Sequence, residues 1–540
     1  MQQLQSGLKT INFNSQVISA MKRILPWLMF LVVAVSFVCA DSFTTLDGPG
    51  HIHNATVIKS LWTEPNGIFS KYYELNTFIS PNLMGHYLLL FVVEIVGVSY
   101  ADRVMLALCM LAQFAAIRYF VRSLKLSDAL ALLPICFLLN TPLFSGFFSF
   151  SLGVAGMFWA VGFFIRRADR LWLEGNNARF MLGLSALLVL VYLLHLVPAV
   201  IACALVAIIF LADVFKYRKT HNWKLYSLWL ATRPLAMAAM PVSVLIVVYQ
   251  LHDSETSNYV FIESRELWRQ WGVMQGFIIN HRHELAFTRW YWIVPGIAIA
   301  MDWALLVFKV KSIQRMNWPA HALGLLFGFV TLIAALYFLM PDASSGGGAL
   351  SVRLNFLLLT VMMLLLLAFV RTFILQWMAV AVLLFVTIDH SQKILSYHKE
   401  QAYFMSDVQE VSRGIDRPGV LLVHRFRYDW PLEHVTKYLG NVHDVVMVDA
   451  LGGHKIYAPV MWSPELRNSE DMVQMLDQGW KHDPIESLKP FAGERLYILT
   501  IGELPQADSA AWSHWSDFFA DESAACFSSS DSLMHLYRLR

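Results

Sequence analysis

The residues best suited to acid–base chemistry follow the first apolar segment of the chain. Asp47 stands before a Gly-Pro-Gly turn, and His51 and His53 come directly after it. The turn residues predict a rigid bend, after which His51 to Ser60 are predicted to form a helix. A carboxylate held in this way can take a proton from a hydroxyl group, as a general base does. Alternatively, Asp47 only caps the helix or closes an Asx turn, since either role also favours Asp before Gly.

The same three side chains raise the question of a metal site. Residues i and i+2 of a helix point to different faces, so His51 and His53 reach one ion only from an extended backbone. The spacing therefore disfavours a metal, and we expect no metal ion and no other cofactor. We expect His51 to bond the Asp47 carboxylate or a bound phosphate instead. His53 is a candidate for supporting the site or contacting an acceptor.

A second group of candidates surrounds the glycine run at 346–348. Asp342 precedes the run as a possible supporting residue, and Arg353 opens the next apolar segment. Arginine donates two parallel hydrogen bonds and stays charged in a low-dielectric site, so Arg353 suits a phosphate that arrives along the bilayer. Arg289, beside the aromatic residues 290–292, is the second candidate. The alternatives are that Arg353 only snorkels to the interface and that Arg289 only accompanies an aromatic belt.

Three polar residues lie within or beside apolar segments. A charged side chain near the bilayer centre costs about 2.5–3.5 kcal/mol and is a functional candidate by default. Arg233 stands at the start of one segment, and Asp302 lies in the inner half of another. His195 lies at a bend before Pro198 and is kept as an acceptor or support residue. A structural histidine with satisfied hydrogen bonds is the commoner explanation for such a position.

The elements that carry these residues are mostly membrane-like. The 540 residues are 57% hydrophobic and 15% charged, with a mean hydropathy of +0.51, whereas soluble proteins carry about 25% charge. This composition excludes an ordinary cytosolic enzyme. Eleven apolar runs are predicted to span a bilayer as helices, namely 24–40, 103–121, 127–142, 145–165, 180–194, 197–213, 229–250, 291–308, 318–340, 354–370 and 373–388.

Charge sets the predicted orientation of these spans. Residues 1–388 carry a net charge of +10 and residues 389–540 a net charge of −8, and basic loops between spans stay in the cytoplasm. All the basic loops fall inside only if the further apolar run 83–99, which holds His86 and Glu94, lies in the outer interface without spanning. The chain then has eleven spans, a cytoplasmic amino terminus and an outward-facing carboxy-terminal region.

Several functional classes lack their sequence signatures. The sequence has no GxxxxGK[ST] phosphate-binding loop, which disfavours an ATP-driven pump, and no basic face supports nucleic-acid binding. The five cysteines form no CxxC pair, and only Cys526 lies in the carboxy-terminal region. An internal disulfide there is excluded, and a zinc site with thiolate ligands is disfavoured.

The periodicity changes near Lys393, and short strands alternate with helices from there on, which predicts a small α/β domain. The predicted strands are Val420–His424, Val445–Val448 and Leu496–Thr500, and the predicted helices are Leu432–Leu439, Ser469–Gln478 and Ala510–Phe519. The predicted fold class is an all-α polytopic membrane domain of about 11 spanning helices followed by a small α/β extracytoplasmic domain. The predicted divisions are a cytoplasmic segment 1–23, a membrane domain 24–390 with a first outer loop 41–102, and a soluble domain 391–540.

In combination, these features resemble the C-type glycosyltransferase superfamily of multi-span membrane enzymes. The resemblance rests on the first span followed by Asp47-Gly-Pro-Gly-His51 and a helix, Pro81-Asn82 before the run 83–99, Ala101-Asp-Arg103 at the second span, and Ser145 to Gly153. It covers roughly residues 20–390 in architecture and only short stretches in motif. In that superfamily the first outer loop carries an essential acidic residue, often within an Asp-Glu pair. Asp47 matches that position, and Gly48 replaces the second acid.

The resemblance implies sugar transfer from a polyprenyl-phosphate donor in the bacterial inner membrane, with the carboxy-terminal domain in the periplasm. Asp47 would act as the general base on an acceptor hydroxyl, with His51 beside it, and Arg353 and Arg289 would hold the donor phosphate. A single displacement implies inversion at the anomeric carbon. Members that use a divalent metal usually take a ligand from the second outer loop. The segment 140–147 has no carboxylate, which implies a metal-independent mechanism.

Other interpretations and the identity of the acceptor stay open. The resemblance leaves open whether the acceptor is a glycan, a lipid or a protein. The competing class is a flippase or transporter that moves a lipid-linked sugar without chemistry, but transporters commonly show internal repeats, and no two halves of this sequence mirror each other. A third class is an assembly factor with a pseudo-enzyme site, in which Asp47 is dispensable. A hydrolytic glycosidase uses two carboxylates that flank the bond, and the first outer loop has no convincing pair.

Overall fold

The computed structural model describes residues 24–40, 43–173, 178–221, 225–253, 259–279, 282–308, 316, 320–343, 348–426, 434–448, 458–467, 489–502, 523–531 and 533–539. The α-helices are α1 (Ile24–Val38), α2 (Gly48–Thr63), α3 (Ile68–Tyr72), α4 (Leu83–Val96), α5 (Val98–Ser123), α6 (Thr141–Phe144), α7 (Phe148–Leu173), α8 (Ala178–Leu194), α9 (Leu196–His221), α10 (Leu225–Asp253), α11 (Ser264–Gly272), α12 (Leu285–Val307), α13 (Ala320–Leu339), α14 (Leu350–Phe369), α15 (Phe373–Ser412), α16 (Tyr438–Val442) and α17 (Pro464–Arg467). The strands are β1 (Tyr73–Leu75), β2 (Gly419–Arg425), β3 (Val445–Met447), β4 (Val460–Trp462), β5 (Leu496–Ile501), β6 (Ser523–Ser528) and β7 (Met534–Leu539).

Long apolar helices make up most of the described structure. Eight of them are long and apolar enough to cross a membrane, and three shorter apolar helices, α1, α4 and α8, accompany them. A five-stranded sheet with short helices follows the last long helix. The predicted fold class, a helical membrane domain followed by a small α/β domain, is therefore confirmed, and the chain is a membrane protein.

Helices α5 and α7 run side by side in the same direction within the membrane domain. Cys109, near the middle of α5, lies beside Phe148 at the start of α7, and further along both helices Arg166 Nε donates to Ser123 Oγ at 2.9 Å. Because the two helices are parallel, the chain that joins them must return from the end of α5 to the level of Cys109, near the middle of that helix. The residues of this return, 127–142, are those that the sequence predicts as a spanning helix.

The returning segment 127–142 is not a spanning helix, and that prediction is wrong. It consists of turns, a 3-10 helix at Leu133–Phe137 with Pro134 in its first turn, and the start of α6. The segment is buried almost throughout, and Arg118 of α5 donates to the carbonyl of Ala131 at 3.1 Å. Irregular backbone is tolerated at membrane depth where protein surrounds it and bonds its polar groups. The length of an apolar run does not reveal that condition.

The predicted first outer loop, residues 41–102, contains two helices, α2 and α4, that pack against each other. Lys59 of α2 pairs with Glu94 of α4 at 2.8 Å, with both side chains half-exposed. The 14 residues of α4 extend about 21 Å at 1.5 Å per residue, which is less than the hydrocarbon core of about 30 Å. Gly97, with φ at +77°, separates α4 from α5. The length of α4 agrees with the prediction that the run 83–99 does not span.

Five carboxy-terminal strands form one mixed sheet in the order β3-β2-β5-β7-β6. Strands β3, β2 and β5 are parallel, whereas β7 and β6 pair antiparallel. The three predicted strands correspond to β2, β3 and β5 within two residues and are confirmed. The helix predicted at Leu432–Leu439 is displaced, because a 3-10 turn at Val435–Lys437 leads into α16. The helices predicted at Ser469–Gln478 and Ala510–Phe519 lie outside the described residues.

Several contacts join the membrane domain to the carboxy-terminal region. Helix α15 runs without a break to Ser412, so the domain boundary predicted at residue 390 falls inside a helix. In addition, β1 of the first outer loop pairs antiparallel with β4, and the rings of Tyr73 and Trp462 stack at 4.6 Å. The Tyr73 hydroxyl also donates to the carbonyl of Met447 at 3.0 Å. The first outer loop and the carboxy-terminal region therefore pack as one unit.

Candidate active site

Asp47 lies in a turn that two outer segments build together. The Asp47 N–H donates to the Ser145 carbonyl at 3.1 Å, and the Leu46 N–H donates to the Phe144 carbonyl at 3.3 Å. Helix α2 begins at the next residue, Gly48, but the Asp47 side chain makes no capping bond to it. The Asp47 side chain is 16% exposed, so a ligand can reach its carboxylate. The structure therefore does not support the capping role as the reason for Asp at this position.

A second carboxylate, Asp102, supports this turn. Asp102 is 1% exposed and accepts from Thr44 Oγ1 (2.9 Å), the Thr45 N–H (2.6 Å) and Thr45 Oγ1 (2.9 Å). A Cβ atom added at Gly48 would lie 2.2 Å from Asp102 Oδ1, so the approach requires glycine. This explains why glycine follows Asp47 where the resemblance leads one to expect a second acid. In the sequence Asp102 appears only as part of the short motif Ala101-Asp-Arg103. Its contacts with Thr44, Thr45 and Gly48 join residues more than 50 positions apart, so the sequence does not predict them.

The carboxy-terminal region adds two polar side chains to the turn. His434 Nε2 lies 3.4 Å from Asp47 Oδ1. Lys437 is 1% exposed, and its charge acts on His51. The sequence did not predict either residue as part of the site. They lie several hundred residues from Asp47, in a segment whose apolar periodicity predicts only a helix.

His51, one turn along α2 from Asp47, is surrounded by groups that are or can become positively charged. Its Nδ1 lies 3.1 Å from His86 Nε2. Burial holds the pKa of His51 well below its ordinary value, and charge on His86, His434, Lys437 and Arg353 lowers this pKa further. His51 is therefore neutral at ordinary pH. Both the membrane domain and the carboxy-terminal region contribute charged or ionisable groups to the surroundings of His51.

Arg353 is held in the site by aromatic rings and a histidine. Its guanidinium carbon lies 4.0 Å from the ring centre of Phe147, and its Nη1 lies 3.3 Å from His195 Nε2. Phe150 packs edge-on against His195 at 5.2 Å. The structure thus brings together Arg353 and His195, which the sequence predicted separately. A guanidinium held between protein groups is not the geometry of a residue that only snorkels to the interface.

Three other predicted site residues lie in different settings. His53 is fully buried beside the ring of Phe69, on a different face of α2 from His51, as the i, i+2 spacing predicts. Asp342 accepts the Ser351 N–H at 2.7 Å and so secures the start of α14, the helix that carries Arg353. Arg289 is exposed near the start of α12, and no described contact joins it to the cluster.

The polar residues Asp302 and Arg233 are also apart from the site. Asp302 accepts the Thr372 N–H at 2.9 Å, the Arg371 N–H at 3.4 Å and the Thr372 hydroxyl. Thr372 is the N-cap of α15, and its amide has no partner within the helix, whereas Arg371 directly precedes the N-cap. Asp302 therefore caps the start of α15. The full length of α14 separates this position from Arg353. Arg233 is exposed on α10.

The arrangement around Asp47 combines a proton acceptor with anion-binding groups. Asp47 is a partly exposed carboxylate, and the charges of Arg353 and Lys437 act on His51, one helical turn from it. Such a set can take a proton from a nucleophile and stabilise negative charge on a leaving phosphate. Among the described residues, no group of three or more His, Cys, Asp or Glu side chains is placed to hold a metal ion. Metal independence stays a prediction.

Comparisons with known proteins give matches only among solved structures. No family model and no curated protein matches the chain. The chain is similar to the crystal structure of ArnT from Cupriavidus metallidurans bound to undecaprenyl phosphate, at 12% sequence identity over 95% of this chain and 97% of that chain, with a TM-score of 0.41. It is similar to the apo form of the same protein at 10% identity over 96% of this chain and 98% of that chain, with a TM-score of 0.42. The likeness extends over nearly the full length of both chains.

Proposed function

We propose that this chain is an integral-membrane glycosyltransferase that passes a sugar, with inversion, from a polyprenyl-phosphate donor to a hydroxyl of an extracytoplasmic acceptor. The observation that carries the proposal is the position of Asp47, a partly exposed carboxylate that lies 3.4 Å from His434 and one helical turn from His51, on which the positive charges of Arg353 and Lys437 act. The carboxylate supplies a base, and the cations bind an anionic leaving group. The long apolar helices support a donor that diffuses within the bilayer.

In the proposed reaction, Asp47 takes the proton of the acceptor hydroxyl while that oxygen attacks the anomeric carbon. The new carbon–oxygen bond forms as the bond between the anomeric carbon and the donor phosphate breaks, and its electron pair leaves with the phosphate. Arg353 and Lys437 stabilise the charge that develops on the phosphate. One displacement from the face opposite the phosphate inverts the anomeric carbon.

Arg353 and Lys437 are proposed to divide the binding of the phosphate. The Phe147 ring holds the Arg353 guanidinium at 4.0 Å, which suits a planar group that donates two parallel hydrogen bonds. Lys437 is a buried point charge from the carboxy-terminal region. Arg289, the second phosphate ligand expected from the sequence, is exposed, so Lys437 takes its place in the proposal.

We further infer a bacterial inner-membrane protein with a cytoplasmic amino terminus and a periplasmic carboxy-terminal domain. The support is the charge distribution, since the first 388 residues are basic and the remainder is acidic, at −8. Basic loops are retained in the cytoplasm. The side of the membrane that carries Asp47 and His434 is then the periplasmic side.

Transfer of radiolabelled sugar from a bacterial polyprenyl-phosphate extract by the purified protein tests the proposal. We expect Asp47→Asn, which keeps the shape of the side chain and removes the base, to slow transfer by about 10²–10⁴-fold. Asp302→Asn is the matched control, because Asp302 caps α15, and it should transfer at close to the wild-type rate. Transfer that persists when divalent ions are chelated supports the metal-independent mechanism.

Two other outcomes would contradict the proposal in different ways. Equal transfer by wild type and Asp47→Asn would keep an enzyme but remove Asp47 as its base. A wild-type protein that transfers no label, yet moves labelled lipid across the membrane of a reconstituted vesicle, would favour the flippase.

A further inference from the structure

A chain of hydrogen bonds leads from the backbone of Asn82 to His51. The Asn82 carbonyl oxygen lies 3.0 Å from His86 Nδ1, and His86 Nε2 lies 3.1 Å from His51 Nδ1. The other ring nitrogen of His51, Nε2, lies on the side of the ring away from His86. Within the described part of the chain no hydrogen bond is made to His51 Nε2, and His51 is partly exposed. A ligand can therefore reach this nitrogen.

The Asn82 carbonyl determines which ring nitrogen carries the proton in His86 and in His51. A carbonyl oxygen only accepts, so His86 Nδ1 carries the proton that bonds Asn82. In a neutral ring, His86 Nε2 then has a lone pair and accepts from the N–H at His51 Nδ1. By the same reasoning, neutral His51 has its lone pair on Nε2.

The surroundings of both rings favour the neutral forms that this assignment needs. His86 is 7% exposed, and burial disfavours a charged imidazole. His51 is also held neutral, because burial and the charges of Lys437, Arg353 and His434 lower its pKa. A second proton on His51 would add positive charge to a place that is already cationic.

The Asn82 carbonyl is itself held in a fixed direction. Asn82 has φ at +78°, in the left-handed region that Asn adopts more readily than most residues. Its carbonyl also accepts from Ser149 Oγ at 3.3 Å. Gly85 permits this approach, since a Cβ atom at Gly85 would lie 2.1 Å from Ser149 Oγ. Helix α4 and the start of α7 thus hold the hydrogen-bond chain between them.

We propose that His86 is a positioning residue that presents His51 Nε2 as a hydrogen-bond acceptor for a hydroxyl group of the acceptor substrate. The proposal rests on the glycosyl transfer proposed for this site. An ionised phosphate has only accepting oxygens and cannot bond a bare ring nitrogen, so the phosphate is left to Arg353 and Lys437. The matching ligand is a polyol such as the sugar of a glycan. One of its hydroxyls reacts at Asp47, and another donates to His51.

Nitrogen-15 solid-state NMR of the full-length protein in lipid, labelled on histidine, tests the tautomer directly. The signals of His51 are those lost in the variant His51→Asn. We expect a neutral ring with its proton on Nδ1 and a bare Nε2. A proton on Nε2 alone, or a doubly protonated ring, overturns the proposal whether or not sugar transfer is detected.

Two variants of His86 separate a positioning role from a merely structural one. His86→Gln keeps a side-chain carbonyl that can accept from His51 Nδ1, whereas His86→Leu removes the acceptor. We expect His86→Leu to lose the single tautomer of His51. The amount of acceptor extract that gives half-maximal transfer should rise about three- to tenfold in this variant, as for one lost hydrogen bond. His86→Gln should restore both properties.

The outcomes keep this inference distinct from the proposed function. Identical kinetics and identical His51 spectra in the two His86 variants overturn the positioning role. If the wild-type protein transfers no sugar from any donor extract, the proposed function fails and the hydroxyl-binding role fails with it. The spectrum of wild-type His51 then still decides the tautomer assignment by itself.

Discussion

The two ends of the membrane domain each hold an aspartate beside the start of a helix, and the two aspartates are used differently. At one end, Asp302 accepts two backbone amides and a hydroxyl at the start of α15. At the other end, Asp47 directly precedes α2 but makes no capping bond to it, and its carboxylate lies 3.4 Å from His434. A carboxylate whose oxygens are occupied by backbone amides stabilises the fold. A carboxylate left partly exposed among cations is available for proton transfer.

Near Asp47, groups other than the aspartate side chain make hydrogen bonds that hold the turn, whereas near α15 the side chain of Asp302 itself makes them. Asp102 accepts three hydrogen bonds from Thr44 and Thr45, and the carbonyl of Ser145 accepts the Asp47 N–H. These bonds fix the turn on which Asp47 stands. We therefore expect substitution of Asp302 to change mainly stability and substitution of Asp47 to change mainly sugar transfer.

The largest effect that we expect, after loss of the Asp47 carboxylate itself, follows from Gly48→Ala. The new Cβ would lie 2.2 Å from Asp102 Oδ1 and 2.4 Å from Thr45 Oγ1, and such overpacking typically costs about 1–3 kcal/mol. We expect a lower thermal midpoint in detergent and at least tenfold slower transfer, because the turn that holds Asp47 must move. Gly296→Ala in α12, where a Cβ meets open space, is the control and should change neither. Normal transfer by Gly48→Ala would show that the close approach is dispensable.

The parts of this site that are local in sequence were predictable, and the long-range contacts were not. A carboxylate before Gly-Pro-Gly and a following helix can be read from eight consecutive residues, and Arg353 stands out as a charge at the mouth of an apolar run. The contacts of Asp47 with His434 and of Gly48 with Asp102 join segments far apart in the chain, so no local pattern reports them. His86 was visible only as a polar residue in an apolar run.

In the fold, too, local patterns were predictable and long-range contacts were not. Strands β2, β3 and β5 of the carboxy-terminal sheet were predicted within two residues, because short runs rich in Val, Ile and Tyr favour strands. The return of the chain through 127–142 was misjudged, since apolar length indicates burial but not helical backbone. Whether such a run forms a helix depends on neighbours such as Arg118, whose guanidinium bonds a carbonyl of the irregular backbone.

The next largest expected effect is a loss of stability in Asp302→Asn that Asp47→Asn should not show. Asp302→Asn should lower the free energy of unfolding by about 1 kcal/mol, as for a weakened helix cap, and leave transfer almost unchanged. Asp47→Asn should show the reverse, with an unchanged thermal midpoint and little transfer. Thermal unfolding in detergent and the sugar-transfer assay, applied to both variants, check this. A loss of stability in Asp47→Asn equal to that in Asp302→Asn would remove the contrast.

A smaller effect is expected at the contact between the two domains. His434→Ala removes the imidazole that faces Asp47 and should lower kcat/KM about threefold, as for one modest polar interaction. The thermal midpoint should not move, because His434 is only partly buried. His443→Ala, at the end of α16 in the same region, is the matched control. Unchanged kcat/KM in His434→Ala would assign this histidine no part in transfer.

The smallest expected effect is the contribution of His51 to the pH dependence of stability. Burial and nearby positive charge hold the pKa of His51 well below its ordinary value, so the folded state disfavours the protonated ring. The stability that His51 contributes is fully present above its unfolded pKa of about 6.5 and is lost as pH falls toward its folded pKa. Thermal midpoints measured across this range should fall less steeply in His51→Gln than in wild type. Parallel curves would show that His51 does not titrate differently in the folded protein.

The pairing of β1 with β4 has a consequence for the order of events during synthesis. The ribosome makes Asp47 and β1 several hundred residues before His434, Lys437 and β4. At about 5–20 residues per second, the interval is on the order of tens of seconds. During that time the membrane helices are inserted while the outer turn lacks its later partners. A chain released early would lack His434, Lys437 and β4. The candidate site is therefore complete only after most of the chain has been translated.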